Sequence, residues 1–520
     1  MKKLMFCFAL AVFASSCNLV DLIIKSGEPL DPGGVAMHGM IVLGDKLEDP
    51  YSVENMTKAL SAVCPTKARV IVAPTDLYVR FLPADQKDFD ILESLGLELL
   101  DHPVDYTVVR EGDWYHDPEI EEGSITWQYA VVEKDFKFPT GIRYEILDKC
   151  YIPENDMTKA DGVDWDEVER EAYRLTGNES MIVATKGGEP SAKPGGRITI
   201  IDDMKEDGRS GVKGVRVSCN SFVKFAHAYT DEEGNWQTDV SFSTKVRYRL
   251  VFKNMKGFSI GFNLLLVPAS CSSLGRSGPQ GVNAVIDRSS EDKLFTRAVV
   301  NNAGYDYYKS CVDEESRIKL PPGNLRIWLM KGLSASSAPM LQQGALVDGS
   351  KLASYLGEFT SLLKMFLPDI TLGLKGAEDF STIYSSAIHE LAHASHFMQV
   401  GKDYWNKYIE FIISSFITSG FVTYGVGTEK NHGYCEIGEM WAYYMENVFY
   451  RERYGRDFLD GSTFWFYPQI FMDLDDKGMG RYKIFNALTS DITDRDLLEM
   501  KLVSLYPECK SMINQIFDRY

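Results

Sequence analysis

The chain has 520 residues, 45% of them hydrophobic and 25% charged, with a formal net charge of −19 at pH 7. That length leaves room for about three domains with ordinary globular cores. The acidic balance argues against nucleic acid as a partner and against electrostatic docking on anionic lipid, since both would repel it.

At the start, Lys2 and Lys3 precede an apolar run from Leu4 to Phe13, followed by Ala14-Ser15-Ser16-Cys17. This pattern predicts an export signal over residues 1–17, with an apolar run too short for a good membrane span. The small residues before Cys17 resemble a bacterial lipobox. That resemblance implies a lipid on Cys17, a membrane anchor through it and a place in the cell envelope, on a face the sequence does not choose. A plain signal peptide cleaved nearby is the alternative. Residues 18–41 read as a tether rich in Gly and Pro.

From 42 to 185 the pattern predicts a mixed domain, with a helix over Ser52–Val63, a strand over Arg69–Ala73 and further strand-like segments at Leu77–Phe81 and Thr126–Val132. Asp113, Tyr115, His116 and Asp117 cluster in a way that a turn explains. After the Gly- and Pro-rich break at 186–196, Arg197–Ile201 and Gly214–Ser218 alternate as strands, and Thr230–Trp236 makes a turn. Asp231 and Glu233 offer oxygen ligands for calcium, although turn geometry alone accounts for them. These strings resemble the prealbumin-like regulatory domain of carboxypeptidases, which implies a β-sandwich over 197–270. The remainder, 275–520, reads as mainly helical. Ahead of its helices, Leu325–Met330 is a strand, either an edge able to pair with an extended peptide or a central strand. The expected fold class is multidomain α+β.

Nine cysteines include Cys7 and Cys17 near the start; the other seven contain no C-x-x-C pair and give no disulfide framework. Phe411–Thr428 is uncharged over 18 residues, but nine of them are Ser, Thr or Gly. A membrane span there would put His393 and Glu439, read below as candidate ligands of one metal ion, on opposite sides of a bilayer, so the stretch reads as a buried helix followed by a loop.

His389, Glu390 and His393 form H-E-L-A-H. On a helix, positions i and i+4 lie about 40° apart and about 6 Å along the axis, so both imidazoles reach one metal ion. Glu390 stands about 100° further round, where it addresses a water rather than the metal. With 8 His and 74 acidic residues, roughly 0.02 chance matches to H-[DE]-x-x-H are expected in such a chain. Asp379, Ser381 and Thr382 supply a polar helix start, and Gly401 stands where a C-cap belongs. A catalytic zinc needs a third protein ligand. The extended H-E-x-x-H-x-x-G-x-x-H pattern fails, because its last two positions hold His396 and Gln399. A later helix offers Glu436, Glu439 and Glu446, and Glu410 lies in an intervening helix. His396 shares the face of His389 but lies about 10 Å along the axis from it, which favours packing over ligation.

Thr382–Gly401 followed by the helix over Tyr434–Glu446, with G-E-M-W-A around Glu439, resembles the active-site half of gluzincin metallopeptidases, notably zinc metalloprotease lipoproteins of bacterial envelopes. The resemblance covers some 80 residues at the motif, with Leu47–Tyr51 and Tyr78–Phe81 similar to the N-terminal region of the same lipoproteins. It implies a zincin-type C-terminal domain, zinc on His389, His393 and Glu439, Glu390 as general base, and a peptide or protein substrate. Many gluzincins add a downstream histidine or tyrosine that stabilises the transition state. Tyr443, Tyr454, Tyr467 and His432 are the residues placed to serve. A catalytically inactive binding lipoprotein, or a zinc hydrolase of another amide such as one in cell wall, are the alternatives.

Overall fold

The computed structural model describes residues 40–67, 72–112, 114–121, 124–159, 162–183, 191–262, 271–290, 292–313, 317–330, 336–345, 368–418, 424–458 and 464–520. The segment read as an export signal, Cys17, most of the expected tether, and the first three residues of the strand expected at Arg69–Ala73 lie outside them; Val72 and Ala73 are irregular.

The chain opens with β1 (Val42–Lys46), α1 (Val53–Val63), β2 (Asp76–Leu82), α2 (Gln86–Ser94), β3 (Tyr106–Arg110), β4 (Gln128–Glu133), β5 (Arg143–Cys150) and α3 (Trp165–Leu175). Strand β2 lies between β4 and β5, antiparallel to both. Its alternation explains the two-sided packing. Leu77, Val79 and Phe81 pack with Leu92, Ala130 and Val132, whereas Tyr78 joins Tyr51, Leu60, Trp127 and Tyr173. The Ser52 side chain caps α1, accepting from Asn55 N at 3.2 Å. Of the cluster around His116, Asp113 lies outside the described residues; Asp117 opens a turn, its Oδ1 accepting from Glu119 N at 2.9 Å.

Next come β6 (Gly195–Ile201), β7 (Arg209–Gly211), β8 (Val215–Ser221), β9 (Lys224–Tyr229), β10 (Asn235–Gln237), β11 (Val246–Asn254), β12 (Ser259–Phe262), β13 (Cys271–Ser277) and β14 (Ala284–Ile286). One sheet has β6 between β10 and β14, with β7 also on β6. The other is built on β11, which pairs with β8 and β13 along most of its length and with β12 at its end. Ile198 and Ile200 of the first sheet share an apolar core with Val215, Val217, Tyr248 and Leu250 of the second. Asp231 shapes the turn before β10, its Oδ1 accepting from the backbone N–H groups of Glu233 and Asn235 at 3.0 and 2.7 Å.

The sheet does not stop at β12. After α4 (Asp292–Cys311), β15 (Arg326–Met330) pairs parallel with β12 on one side and with β16 (Ile370–Gly373) on the other. Strand β15 is therefore central, and its ladder groups are already used. The edge-strand reading of Leu325–Met330 is set aside on that ground. The chain continues through α5 (Phe380–Val400), which packs on β16, then α6 (Lys402–Thr418), α7 (His432–Tyr454), α8 (Gln469–Asp476), α9 (Arg481–Ala487), α10 (Arg495–Leu505) and α11 (Lys510–Phe517). The architecture is mixed α+β. Among the described residues no helix is long and apolar enough to cross a membrane. Cys64, Cys150, Cys219, Cys271, Cys311, Cys435 and Cys509 are all free thiols.

Candidate metal centre

Helix α5 begins and ends where its residues dictate. Asp379 Oδ1 accepts from Thr382 N at 2.8 Å, while Oδ2 accepts from Thr382 Oγ1 at 2.8 Å. Such a cap is typically worth about 1 kcal/mol. At the far end Gly401 adopts φ 83°, which a side chain would strain. Between these caps nearly every residue is buried, so the motif lies in the interior, against α7.

The two motif imidazoles stand one turn apart, with ring centroids 4.9 Å from each other. Glu439 of α7 faces both: its Oε2 lies 3.4 Å from His389 Nε2 and its Oε1 3.6 Å from His393 Nε2. Ligand atoms of the three residues lie within 4.8 Å of one another, and among the described residues this is the cluster able to hold a metal ion. The spacing fits zinc: two atoms each about 2.1 Å from a tetrahedral ion stand about 3.4 Å apart. Glu439 is 1% exposed, so its carboxylate needs buried positive charge. Burial opposes its ionisation, yet His393 and His389 hold it well below the usual carboxylate range.

A further ring of contacts orients these three side chains. His389 Nδ1 donates to Glu446 Oε2 at 3.1 Å, which fixes the tautomer that leaves Nε2 free toward Glu439. The Tyr408 hydroxyl donates to Glu439 Oε1 at 2.6 Å. Glu390 is also buried, and its Oε2 makes no hydrogen bond. Burial pushes its carboxyl up to about 8; His389 opposes this, and the nearby Glu439 and Glu446 add to it. Glu390 thus stands next to the cluster without belonging to it, with one oxygen that no protein group engages.

The rival residues are elsewhere. Glu410 is exposed on the far side of α6. Glu436 lies a turn away, its Oε1 4.0 Å from Arg495 Nε. Cys435 is buried outside the cluster. His396 packs between Tyr404 and Trp405, with neither ring nitrogen hydrogen-bonded, and burial pushes its pKa down to about 3. That is a neutral packing residue. Of the four groups considered as transition-state stabilisers, Tyr443 adjoins the site, its ring 4.5 Å from that of His389 and its hydroxyl 3.4 Å from the Tyr424 hydroxyl. Tyr454 bonds to Asp202, Tyr467 packs on Tyr520, and His432 lies by Glu429 O and Trp465.

Sequence reasoning missed the roles of Glu446 and Tyr408. Glu446 had a readable signal, because seven residues from Glu439 returns to within about 20° of the same helix face. Tyr408 falls on a helically spaced stripe with Trp405, Ile409 and Ile412 that by itself explains it as core, and nothing in such a stripe says where a hydroxyl points. If the cluster holds zinc, Glu446→Gln and Tyr408→Phe are each expected to weaken its binding by about 10–100-fold, measured by chelator competition. Unchanged affinity in both would remove the positioning role.

No protein-family model, no curated protein and no solved structure matches the chain.

Proposed function

We propose that the chain is an exported, zinc-dependent peptidase of gluzincin type, with zinc on His389, His393 and Glu439. The observation that supports this best is the convergence of two imidazole Nε2 atoms and one carboxylate within 4.8 Å, inside a buried site, with Glu390, whose Oε2 makes no hydrogen bond, beside them. Bound zinc would supply a Lewis acid for a substrate carbonyl and lower the pKa of a water to about 7.

The chain's own residues then divide the work. Glu390 Oε2 accepts a proton from the attacking water and returns it to the departing amine as the peptide bond breaks. Glu446 holds the His389 ring in one tautomer, and Tyr408 holds Glu439 in one rotamer. Tyr443, edge-on to His389, is the group best placed to face the developing oxyanion. The finer fold reading goes with this function: a zincin-type helical part behind a prealbumin-like sandwich, supported by the two sheets that share a core over β6–β14. Zinc content of the purified chain, taken together with cleavage of a peptide library, tests the proposal. One zinc per chain with cleavage is expected; a zinc-loaded protein that cleaves no peptide would favour a binding lipoprotein.

Envelope anchoring rests on the Lys2–Cys17 segment alone. Cys17→Ser is expected to leave an unlipidated or unprocessed precursor. Mass spectrometry of the native N-terminus checks it, since a mature start beyond Cys17 would make this an ordinary secreted protein.

A further inference from the structure

The sheet built on β11 has two unlike faces. Tyr248, Leu250 and Phe252 point into the apolar core, whereas Arg247, Arg249 and Lys253 alternate onto the other side. The register with β8 sets Ser218 opposite Arg249 and places Arg216 opposite Val251, so Arg216 joins the same face. Residues 93–112 cover this face and leave a cavity of about 60 Å³, lined by Arg216, Arg247, Arg249, Lys253, His102 and Asp101 among others. That is room for ordered water or a small ion, and far too little for a drug-sized ligand, which needs about 300–1,000 Å³.

The acids around the cavity are already engaged. Glu111 binds Arg247 Nη2 at 2.5 Å, and Glu93 binds Lys253 Nζ at 3.0 Å. Asp101 accepts from His102 Nδ1 at 2.7 Å and from Tyr115 N at 2.5 Å, while His102 Nε2 accepts from Arg247 Nη1 at 2.8 Å. Glu98 is bound to Ser218 Oγ and to His227 Nδ1. Arg249 is left with two contacts of 3.3 Å from Nη2, to Ser218 Oγ and Asn220 Oδ1, both neutral. It is only 3% exposed, and the Nε atoms of Arg249, Arg247 and Arg216 are buried without a hydrogen-bond partner. Among the described residues no carboxylate makes an ion pair with Arg249 or Arg216; Glu98 acts on both only at longer range. A buried guanidinium with unused donors calls for an anion in contact, and its forked N–H groups match an oxyanion.

We propose that this cavity binds one small inorganic oxyanion of phosphate size, held by Arg249 and Arg216 between residues 93–112 and the central sheet. The site is separate from the metal cluster and shares no residue with it. The bound anion joins two parts of the chain, so it stabilises the folded protein by an amount that grows with the logarithm of its concentration once that exceeds its dissociation constant.

Isothermal titration of the intact chain with sodium phosphate at constant ionic strength, against sodium chloride, tests this. One saturable phosphate site per chain is expected, accompanied by a rise in Tm. Arg249→Gln and Arg216→Gln should each weaken binding at least tenfold, with circular dichroism reporting whether each variant is folded. If Arg249→Gln does not fold, the half-buried Arg216→Gln and the unmodified chain decide. No saturable phosphate binding to the unmodified chain overturns the proposal, as does binding unchanged in the folded variants. Phosphate binding that survives in these variants but is lost in His389→Ala places the anion at the metal cluster and overturns it equally.

Discussion

Glu390→Gln is expected to fold, to hold zinc at the unaltered stoichiometry and to lose peptidase activity by about 10²–10⁴-fold. The reason is positional. Glu390 follows His389 on α5, so its carboxyl lies beside the ligand atoms, whose group of three does not include it. It is buried and its Oε2 has no hydrogen-bond partner, so the substitution breaks no contact at that oxygen. Gln keeps the size and hydrogen-bonding shape of the side chain but cannot accept a proton at neutral pH. Zinc analysis and peptide cleavage on the same preparation separate the outcomes. Near-normal turnover would refute Glu390 as the base while leaving the metal site standing.

The second large effect concerns the ligands. His389→Ala, His393→Ala and Glu439→Gln are each expected to abolish tight zinc binding, whereas Glu436→Gln and Glu410→Gln should retain it. Each ligand variant removes one of three donors, and none of the surrounding groups is placed to replace it: Glu446 is on the far nitrogen of His389, and His396 lies outside the cluster. Glu439→Gln also takes away the carboxylate charge that two imidazoles and the Tyr408 hydroxyl surround. Metal analysis after dialysis against a weak chelator reads the result directly. Full occupancy in His389→Ala or His393→Ala would sink the site. Metal lost from Glu410→Gln but kept by Glu439→Gln would move the third ligand to α6.

The short-range features of the site were readable in the chain. The i,i+4 histidines, the Asp379 cap and the Gly401 stop are local rules, and α5 obeys all three. The helix expected over Tyr434–Glu446, with Met440, Trp441 and Tyr444 at helical spacing, is α7, which extends further, to His432–Tyr454. What remained hidden depends on distant pairing. Nothing near Leu325 says that β12, more than sixty residues earlier, lies parallel on one side of β15 and β16 on the other. The basic face of the central sheet was equally obscure, since Arg216 and Arg249 meet only through the register of β8 on β11. Polar contacts made at the end of a long side chain, such as that of Tyr408, carry no periodic signature.

Trp405 gives the site a built-in lamp. Its indole is fully buried, donates to Ala338 O at 3.0 Å, and lies with its ring 5.7 Å from that of His393 and 4.7 Å from that of Tyr408. An emitter so near the ligands is within easy energy-transfer range of any coloured ion they hold. Cobalt seated in place of zinc would darken the emission of this indole. Occupancy could then be followed by light in real time, in the native chain and without an added dye.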